Sequence, residues 1–561
     1  RNMKVAQCKV NHMENPIGYQ YRHLTFSWIA DCRGSLESRI VISSAGQVVK
    51  DTGWAKLDMA ATTLDVELKP RTRYEWTVAV RNEKGESITS DVNYFETGKM
   101  QEPWTAQWIT TTGANDRHPI FYHTLPDGAD KKVTKARLYI CGLGLYEAYL
   151  DGVKIGADWL TPGFNAYHLW VQTQTYDVTE MMQSRPKELS ILAGDGWYKS
   201  RIPFEGSSVG FYGNDYRVLA ELHIEYADGS KEVLSTDESW QVRRSNITFS
   251  GIYDGEWQDE TLPQGEVEAV AIATPLKGQL IDRLSVPVRT HEEFHPALVS
   301  NDAGETILDI GQNLAGIFTL RVHIPKGQRV HIQAGEVLQD GHFYRDNLRT
   351  AKAEFYYTSD GEEHIVRPHF TFYGFRYLKI EGIENFDPKD ITVHALYSDM
   401  PMNSQLMTGH AKLNQFLSNV SWGMKSNFVD LPTDCPQRDE RMGWTGDSQV
   451  FSETACFLAQ PYAFYRKYLY DMEQEQKNAD GCAPDFVPAV TCSGKGPDSL
   501  GRRYDHYALE YVPLYWRYYD STGTFREYVR LGVLHYESRW HRPWLETTVP
   551  LWRLAGVGLP I

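Results

Sequence analysis

The chain has 561 residues, of which 42% are hydrophobic, 13% aromatic and 23% charged, with a formal net charge of −16. At ~100–200 residues per domain this makes about three to five folded units, and 16 Trp, 33 Tyr and 22 Phe exclude a disordered chain. No apolar run reaches the ~18 residues of a membrane span, and no basic stripe marks a nucleic-acid binder. Neutral partners such as sugars suit this composition, although the same rings also fill β cores.

Residues 1–100 read as short strands with turns: LTFSWIA (24–30), SRIVISS (38–44), TLDVELK (63–69) and RYEWTVAVRN (73–82). This spacing predicts a β-sandwich. Residues 101–286 form a second, larger β block, with strands at KARLYICG (135–142), YEAYLDG (146–152), KELSILAG (187–194), RVLAELHIEYADGS (217–230) and WQVRRS (240–245). Its GDGWY (194–198) and YDGEW (253–257) mix Gly, Asp and Trp, as an exposed sugar-contacting loop or a tight turn beside a packed Trp would.

Residues 287–400 are a third β block. TILDIGQNLAGIFTLRVHI (306–324) predicts two strands around a turn, and Phe370, Phe372, Phe375 and Tyr377 predict one packed sheet face with a bulge near Gly374. From 401 to 561 the pattern turns helical. Leu406, Leu413, Phe416, Leu417, Val420 and Met424 recur at helical spacing, and 448–460 and 462–479 continue the pattern, with weaker helices at Tyr507–Tyr519 and Arg526–Trp540. Strands followed by helices mean separate domains. The seven cysteines (Cys8, Cys32, Cys141, Cys435, Cys456, Cys482 and Cys492) are odd in number and lack C-x-x-C spacing. They are expected to be mostly free and buried, with neither a disulfide framework nor a zinc site.

Chemistry concentrates in residues 430–447, between two predicted helices. This loop holds Asp430, Asp434, Asp439, Asp447, Glu440, Arg438, Arg441 and Trp444; Pro432 and Pro436 stiffen it, and Gly443 and Gly446 are expected to let it turn. Glycoside cleavage needs an acid for the leaving oxygen and a carboxylate to assist attack. Crowded carboxylates and burial against Trp favour a protonated acid, whereas Arg438 and Arg441 would oppose one. Composition does not fix which carboxyl carries the proton. A solvated salt-bridge cluster at a helix start, with Asp434 as its cap, explains the same residues.

The string FVDLPTDCPQRDERMGWTGD (428–447) resembles the signature of bacterial α-L-rhamnosidases of glycoside hydrolase family 78. Other segments agree in order. The start, through RYEWTVAV and FETGK, is similar to that family's fibronectin-III-like domain; LTPGFNAYHLWVQTQTYDVT (160–179), GDGWY and YDGEW resemble its N-terminal jelly-roll domain; LDIGQNLAG and HFTFYGFRYLKIEG resemble its concanavalin-like domain. The resemblance implies β-sandwich domains followed by an all-α (α/α)6 barrel that releases terminal α-L-rhamnose with inversion. It also implies Glu440 as general acid, Asp434, Arg438 and Asp447 on the sugar hydroxyls, and Trp444 lining the sugar pocket, with no cofactor and no membrane or nucleic-acid partner. A periplasmic or secreted location is expected, with the cytoplasm as the alternative.

Two departures stand out. Only 114 residues follow Asp447, room for about half of twelve helices, and the text after PDFVPAV (484–490) loses the family pattern. A truncated or frame-shifted frame from about residue 502 is therefore expected, with the family's downstream Glu base missing and apolar helix faces uncovered. Asp439, Asp447 and Asp485 are the candidate replacements for that base. Phe164-Asn165-Ala166-Tyr167 replaces a W-T-D-Y pattern, which removes one expected calcium ligand; Asn214, Asp215 and Asp254 are other possible oxygen ligands, and no metal is assigned. The alternatives to a rhamnosidase are a non-catalytic carbohydrate-binding protein and an inverting hydrolase of the same barrel acting on another sugar.

Overall fold

The structure, a computed structural model, describes residues 3–478, apart from 32–33, 35, 129 and 203–208, together with residues 486–490. The helices expected after residue 506, the tail, the candidate base Asp485, and Cys32, Cys482 and Cys492 lie outside the described residues. Of the other cysteines, Cys141 and Cys435 are buried, Cys8 and Cys456 half-buried, and all four are free thiols.

The first unit is a sandwich. Lys4–Val10, Leu24–Asp31 and Thr62–Leu64 form one sheet, and Arg73–Arg81, paired with Glu37–Ser44 and Asn93–Thr97, centres the other. Alternation places Tyr74, Trp76, Val78 and Val80 inward, against Phe26, Trp28, Ile40, Ile42 and Phe95.

In the second unit Val133–Leu143 pairs antiparallel with Arg217–Tyr226 and with Trp170–Asp177. It includes two short helices, α1 (Thr179–Gln183) and α2 (Gly196–Lys199). GDGWY is not an exposed loop. Its Trp197 and Tyr198 start α2 inside the core, with Trp197 stacked on Phe164 at 5.4 Å.

The third sheet is built on Ile307–Val322, which pairs with Tyr373–Glu381 and Ile391–Ser398. One expectation changes here. Residues 307–322 are one strand, because Gly311, at φ +83°, absorbs the extra residues where the register shifts between Asp309 and Leu314. The register shift does lie beside Gly374, between Phe375 and Tyr377, as expected, but Gly374 itself serves another purpose. A Cβ there would lie 2.6 Å from the Pro436 carbonyl carbon, so this glycine admits the backbone of the 430–447 loop. Residues 253–256 of YDGEW are also buried, with Trp257 half-buried: Gly255–Asp259 joins the third sheet, parallel to Glu354–Thr358.

Three longer helices follow: α3 (Ala411–Asn427), α4 (Thr445–Leu458) and α5 (Tyr462–Asn478). Leu406 precedes α3, and Leu413 and Phe416 face outward; of the periodic set only Met424 is buried. The reason is that α3 lies on the third sheet, so its C-terminal end carries the packing through Met424 and the following Phe428. Helix α5 is anchored from within. The Lys467 ammonium lies 2.9 Å from Asp471 and 3.2 Å from Asp430 and also donates to the Phe164 carbonyl. Asp471 accepts from Trp170 Nε1 at 2.6 Å, and Asp430 accepts from Phe164 N at 2.7 Å. The segment 164–167, considered for calcium, is therefore a buried seam between α5 and the second unit. Among the described residues, no helix is long and apolar enough to cross a membrane.

Candidate active site

The loop from Asp430 to Trp444 is held by both of the larger β units. Arg441, at φ +52°, sits in a backbone region that non-glycine residues seldom adopt. Its buried guanidinium donates to the carbonyls of Ile252 (3.0 Å), Phe372 (2.8 Å), Gln437 (3.2 Å) and Arg438 (3.2 Å). This network over-determines the strained residue. Arg441 thus makes no ion pair with Glu440, contrary to the opposing role expected from sequence; it ties the loop to the ends of two strands of the third sheet, beside Ile252 and Phe372. Tyr253 Oη donates to the Glu440 carbonyl at 2.8 Å. Gly443 serves close approach rather than turning, since the Val487 carbonyl lies 2.4 Å from where its Cβ would be, and Gly446 falls inside α4.

Four of the five expected site residues converge. Glu440 is 8% exposed. Its Oε1 accepts from Trp444 Nε1 at 3.0 Å, and its Oε2 accepts from an Arg349 Nη at 2.8 Å. Arg438 Nε approaches Oε2 at 3.1 Å as an ion pair without hydrogen-bond alignment. The same guanidinium donates to Asp434 Oδ2 at 3.2 Å, so it bridges the two acids. Asp434 is not a helix cap: its Oδ1 accepts from Met442 N at 3.0 Å, before α4 begins. Burial, reinforced by the nearby Glu440, raises the Asp434 carboxyl above the usual carboxylate range despite the Met442 and Arg438 hydrogen bonds. Asp447 lies in the first turn of α4 and is exposed.

Arg349, Thr350 and Arg201, which sequence did not single out, complete the site around Asp439, one of the carboxylates offered as a candidate base. Asp439, almost fully buried, accepts from Arg349 Nε at 2.8 Å and from the Thr350 hydroxyl, and lies 3.8 Å from Arg201. Arg201 in turn forks onto Asp254 at 2.8 and 2.9 Å. Asp254 is therefore spent on an ion pair rather than on calcium, and Asp215 likewise pairs with Arg217 at 2.8 Å. Asp439 in the loop and Asp254 in YDGEW had local signals; Arg349 lies ~90 positions from its partners, beyond any local pattern.

Asp434, Cys435 and Glu440 place one ligand atom each within 4.8 Å of one another. Burial pushes the Cys435 thiol up to about 12, and both carboxylates are engaged by Arg438, so the donors are a neutral thiol and ion-paired acids. The same spacing bears on mechanism. Inverting hydrolysis sets its two carboxyls ~6.5–9.5 Å apart to admit water, and Asp434 is closer to Glu440 than that.

Family models place this architecture. The Rha78A-like N-terminal immunoglobulin domain matches residues 5–101, the α-L-rhamnosidase N-terminal domain 131–292, the bacterial α-L-rhamnosidase concanavalin-like domain 300–397 and the six-hairpin glycosidase domain 401–530. The chain belongs to the bacterial α-L-rhamnosidase family. Its first sandwich is immunoglobulin-like in that description, where sequence gave a fibronectin-III-like reading. The six-hairpin match continues past residue 502, where a break in the pattern was expected. An α-L-rhamnosidase of Alteromonas sp. (strain LOR) is 31% identical over 546 residues, 88% of this chain and 59% of that protein. The α-L-rhamnosidase structure from Aspergillus terreus superposes with a TM-score of 0.86 at 29% identity, covering 95% of this chain and 65% of that one. The Streptomyces avermitilis α-L-rhamnosidase, solved with L-rhamnose, gives 0.79 at 25% identity, covering 88% and 67%. The chain thus spans about three-fifths of the curated Alteromonas relative's length.

Proposed function

We propose that the chain carries the acid half of an inverting α-L-rhamnosidase site and acts on terminal α-L-rhamnosides of glycans or glycosides. The observation that carries this reading is the convergence of Glu440 with Asp434, Arg438 and Trp444 on a loop clamped by two β units. Glu440 is the general acid: its proton passes to the glycosidic oxygen as the anomeric C–O bond breaks, while water adds to the sugar from the opposite face and gives up its proton to a carboxylate base, a role that an inverting site needs and that no described residue is assigned here. In this reading the Arg438 guanidinium, 38% exposed where it bridges Asp434 and Glu440, donates to a sugar hydroxyl. Trp444, half-buried, offers an apolar face to the deoxy sugar. Neither Asp434 nor Asp439 is assigned as the base, the first being too close to Glu440 and the second held by Arg349 and Thr350.

The test is rhamnose release from aryl rhamnosides by the chain and by Glu440→Gln. Loss of a general acid lowers the rate by ~10²–10⁴ on a poor leaving group and by less on a good one. Full activity of the variant on a poor leaving group overturns the role. Calorimetric binding of L-rhamnose without turnover by the parent chain identifies the carbohydrate-binding alternative, and release of a different sugar from a substrate panel identifies the other hydrolase.

A further inference from the structure

Both oxygens of Glu440 are occupied as acceptors, Oε1 by Trp444 and Oε2 by Arg349. Trp444 belongs to the same loop as the acid, whereas Arg349 comes from the third β unit. It ends a single 3₁₀ turn, Asp346–Leu348, with φ +55° and ψ −116°, a combination that residues with a Cβ avoid. The strained backbone aims the guanidinium so that Nε takes Asp439 and an Nη takes Glu440, both at 2.8 Å. The next residue, Thr350, fixes the far side of Asp439 and accepts from Arg201 at 3.1 Å. Asp439 is buried at the base of this fork, while the Arg349 side chain is 42% exposed at its mouth. Arg349 thus has one end immobilised and the other on the acid.

We propose that Arg349 is a positioning residue for Glu440, supplied by the β domain to set the direction in which the carboxyl presents its proton. This rests on the reading of Glu440 as the acid. The fork through Asp439 removes the rotational freedom that a glutamate carboxyl has when held by a single donor. Orientation of this kind acts on the proton-transfer step and not on general affinity for the sugar.

The experiment compares the parent chain with Arg349→Ala and Arg349→Lys on two rhamnosides, one with a poor alkyl leaving group and one with 2,4-dinitrophenolate, alongside calorimetry with L-rhamnose. The expected result for Arg349→Ala is a loss of ~10²-fold in kcat on the alkyl rhamnoside, less than about threefold on the dinitrophenyl one, and near-parental affinity for rhamnose. Added guanidinium ion restores part of the alaninyl variant's rate and leaves the parent unchanged. Equal losses on both substrates, or none, overturn the proposal. A crystal structure of Arg349→Ala tests the same point without turnover: the Glu440 carboxyl is expected to leave Trp444 Nε1, and an unmoved carboxyl overturns it. If the parent chain neither binds rhamnose nor releases it, the acid reading itself fails, and the crystal structure still decides the role of Arg349.

Discussion

Removing the Lys467 ammonium is the most direct probe of what seats the site loop. Lys467, Asp430 and Asp471 are all buried, and the single cation lies 3.2 and 2.9 Å from the two acids. Burial alone lowers a lysine, but the two carboxylates outweigh it, so Lys467 is raised above its ordinary value. Lys467→Met keeps the volume and leaves two acids facing each other in a dry seam. Removing one partner of a buried ion network costs about 3–5 kcal/mol, because the remaining charge stays desolvated. The triple variant Asp430→Asn, Lys467→Met, Asp471→Asn buries no charge and keeps acceptors for Phe164 N and Trp170 Nε1, so it is expected to recover at least half of the loss. Asp471 adds a pH signature. Burial raises its carboxyl even beside the lysine. A folded-state value above the unfolded one gives stability that is present at low pH and is lost as pH rises, so the deficit of Lys467→Met shrinks on acidification. Equilibrium urea unfolding of the parent, single and triple variants from pH 5 to 8 measures all three effects. A single-variant loss below about 1 kcal/mol, or a triple variant no more stable than the single, refutes the reasoning.

Glu475, fully buried on α5 and accepting from Ala489 N at 2.9 Å, is pushed up to about 8 by burial. Its folded value exceeds the unfolded 4.5, so its contribution is complete below about 4.5 and fades as pH rises through 8. The stability difference between the parent and Glu475→Gln is expected to change by ~1.4 kcal/mol per pH unit within that window, and parallel unfolding curves would contradict this. Gly374→Ala sets a methyl 2.6 Å from the Pro436 carbonyl carbon and 2.8 Å from Gln437 N. Overpacking of this kind costs about 1–3 kcal/mol, and because the displaced backbone is the site loop, rhamnose affinity in calorimetry is expected to fall with stability; unchanged binding and unfolding midpoint would show that the loop does not need this approach.

Local pattern carried much of the fold. Alternation placed Tyr74, Trp76, Val78 and Val80 inside a sandwich, and the 3.6-residue period located α4 and α5. The string 434–447 pointed to the family because its residues are adjacent in the chain. Patterning left YDGEW and GDGWY open between an exposed sugar-contacting loop and a tight turn beside a packed Trp, since a Gly–Asp–Trp cluster looks the same whether its rings meet water or a neighbouring unit; the buried Trp197 decides GDGWY for packing. It split the 306–324 strand, and it found the irregularity near Gly374 without the approach of the 430–447 loop, for a related reason: a glycine marks a backbone need without saying whether a turn, a bulge or a passing chain creates it.

What the sequence determined by itself was the order of domains and the cast of the loop, Asp434, Arg438, Glu440 and Trp444. Only the tertiary structure decided who holds that loop: Arg441 reaching the carbonyls of Ile252 and Phe372, Arg349 forking onto Asp439 and Glu440, and Asp447 exposed on α4. The physical reason is that hydrophobic period and turn chemistry act within about a dozen residues, whereas these partners are separated by 69 to 189 positions. Their pairing is set by how the β units pack, which is a property of the folded core.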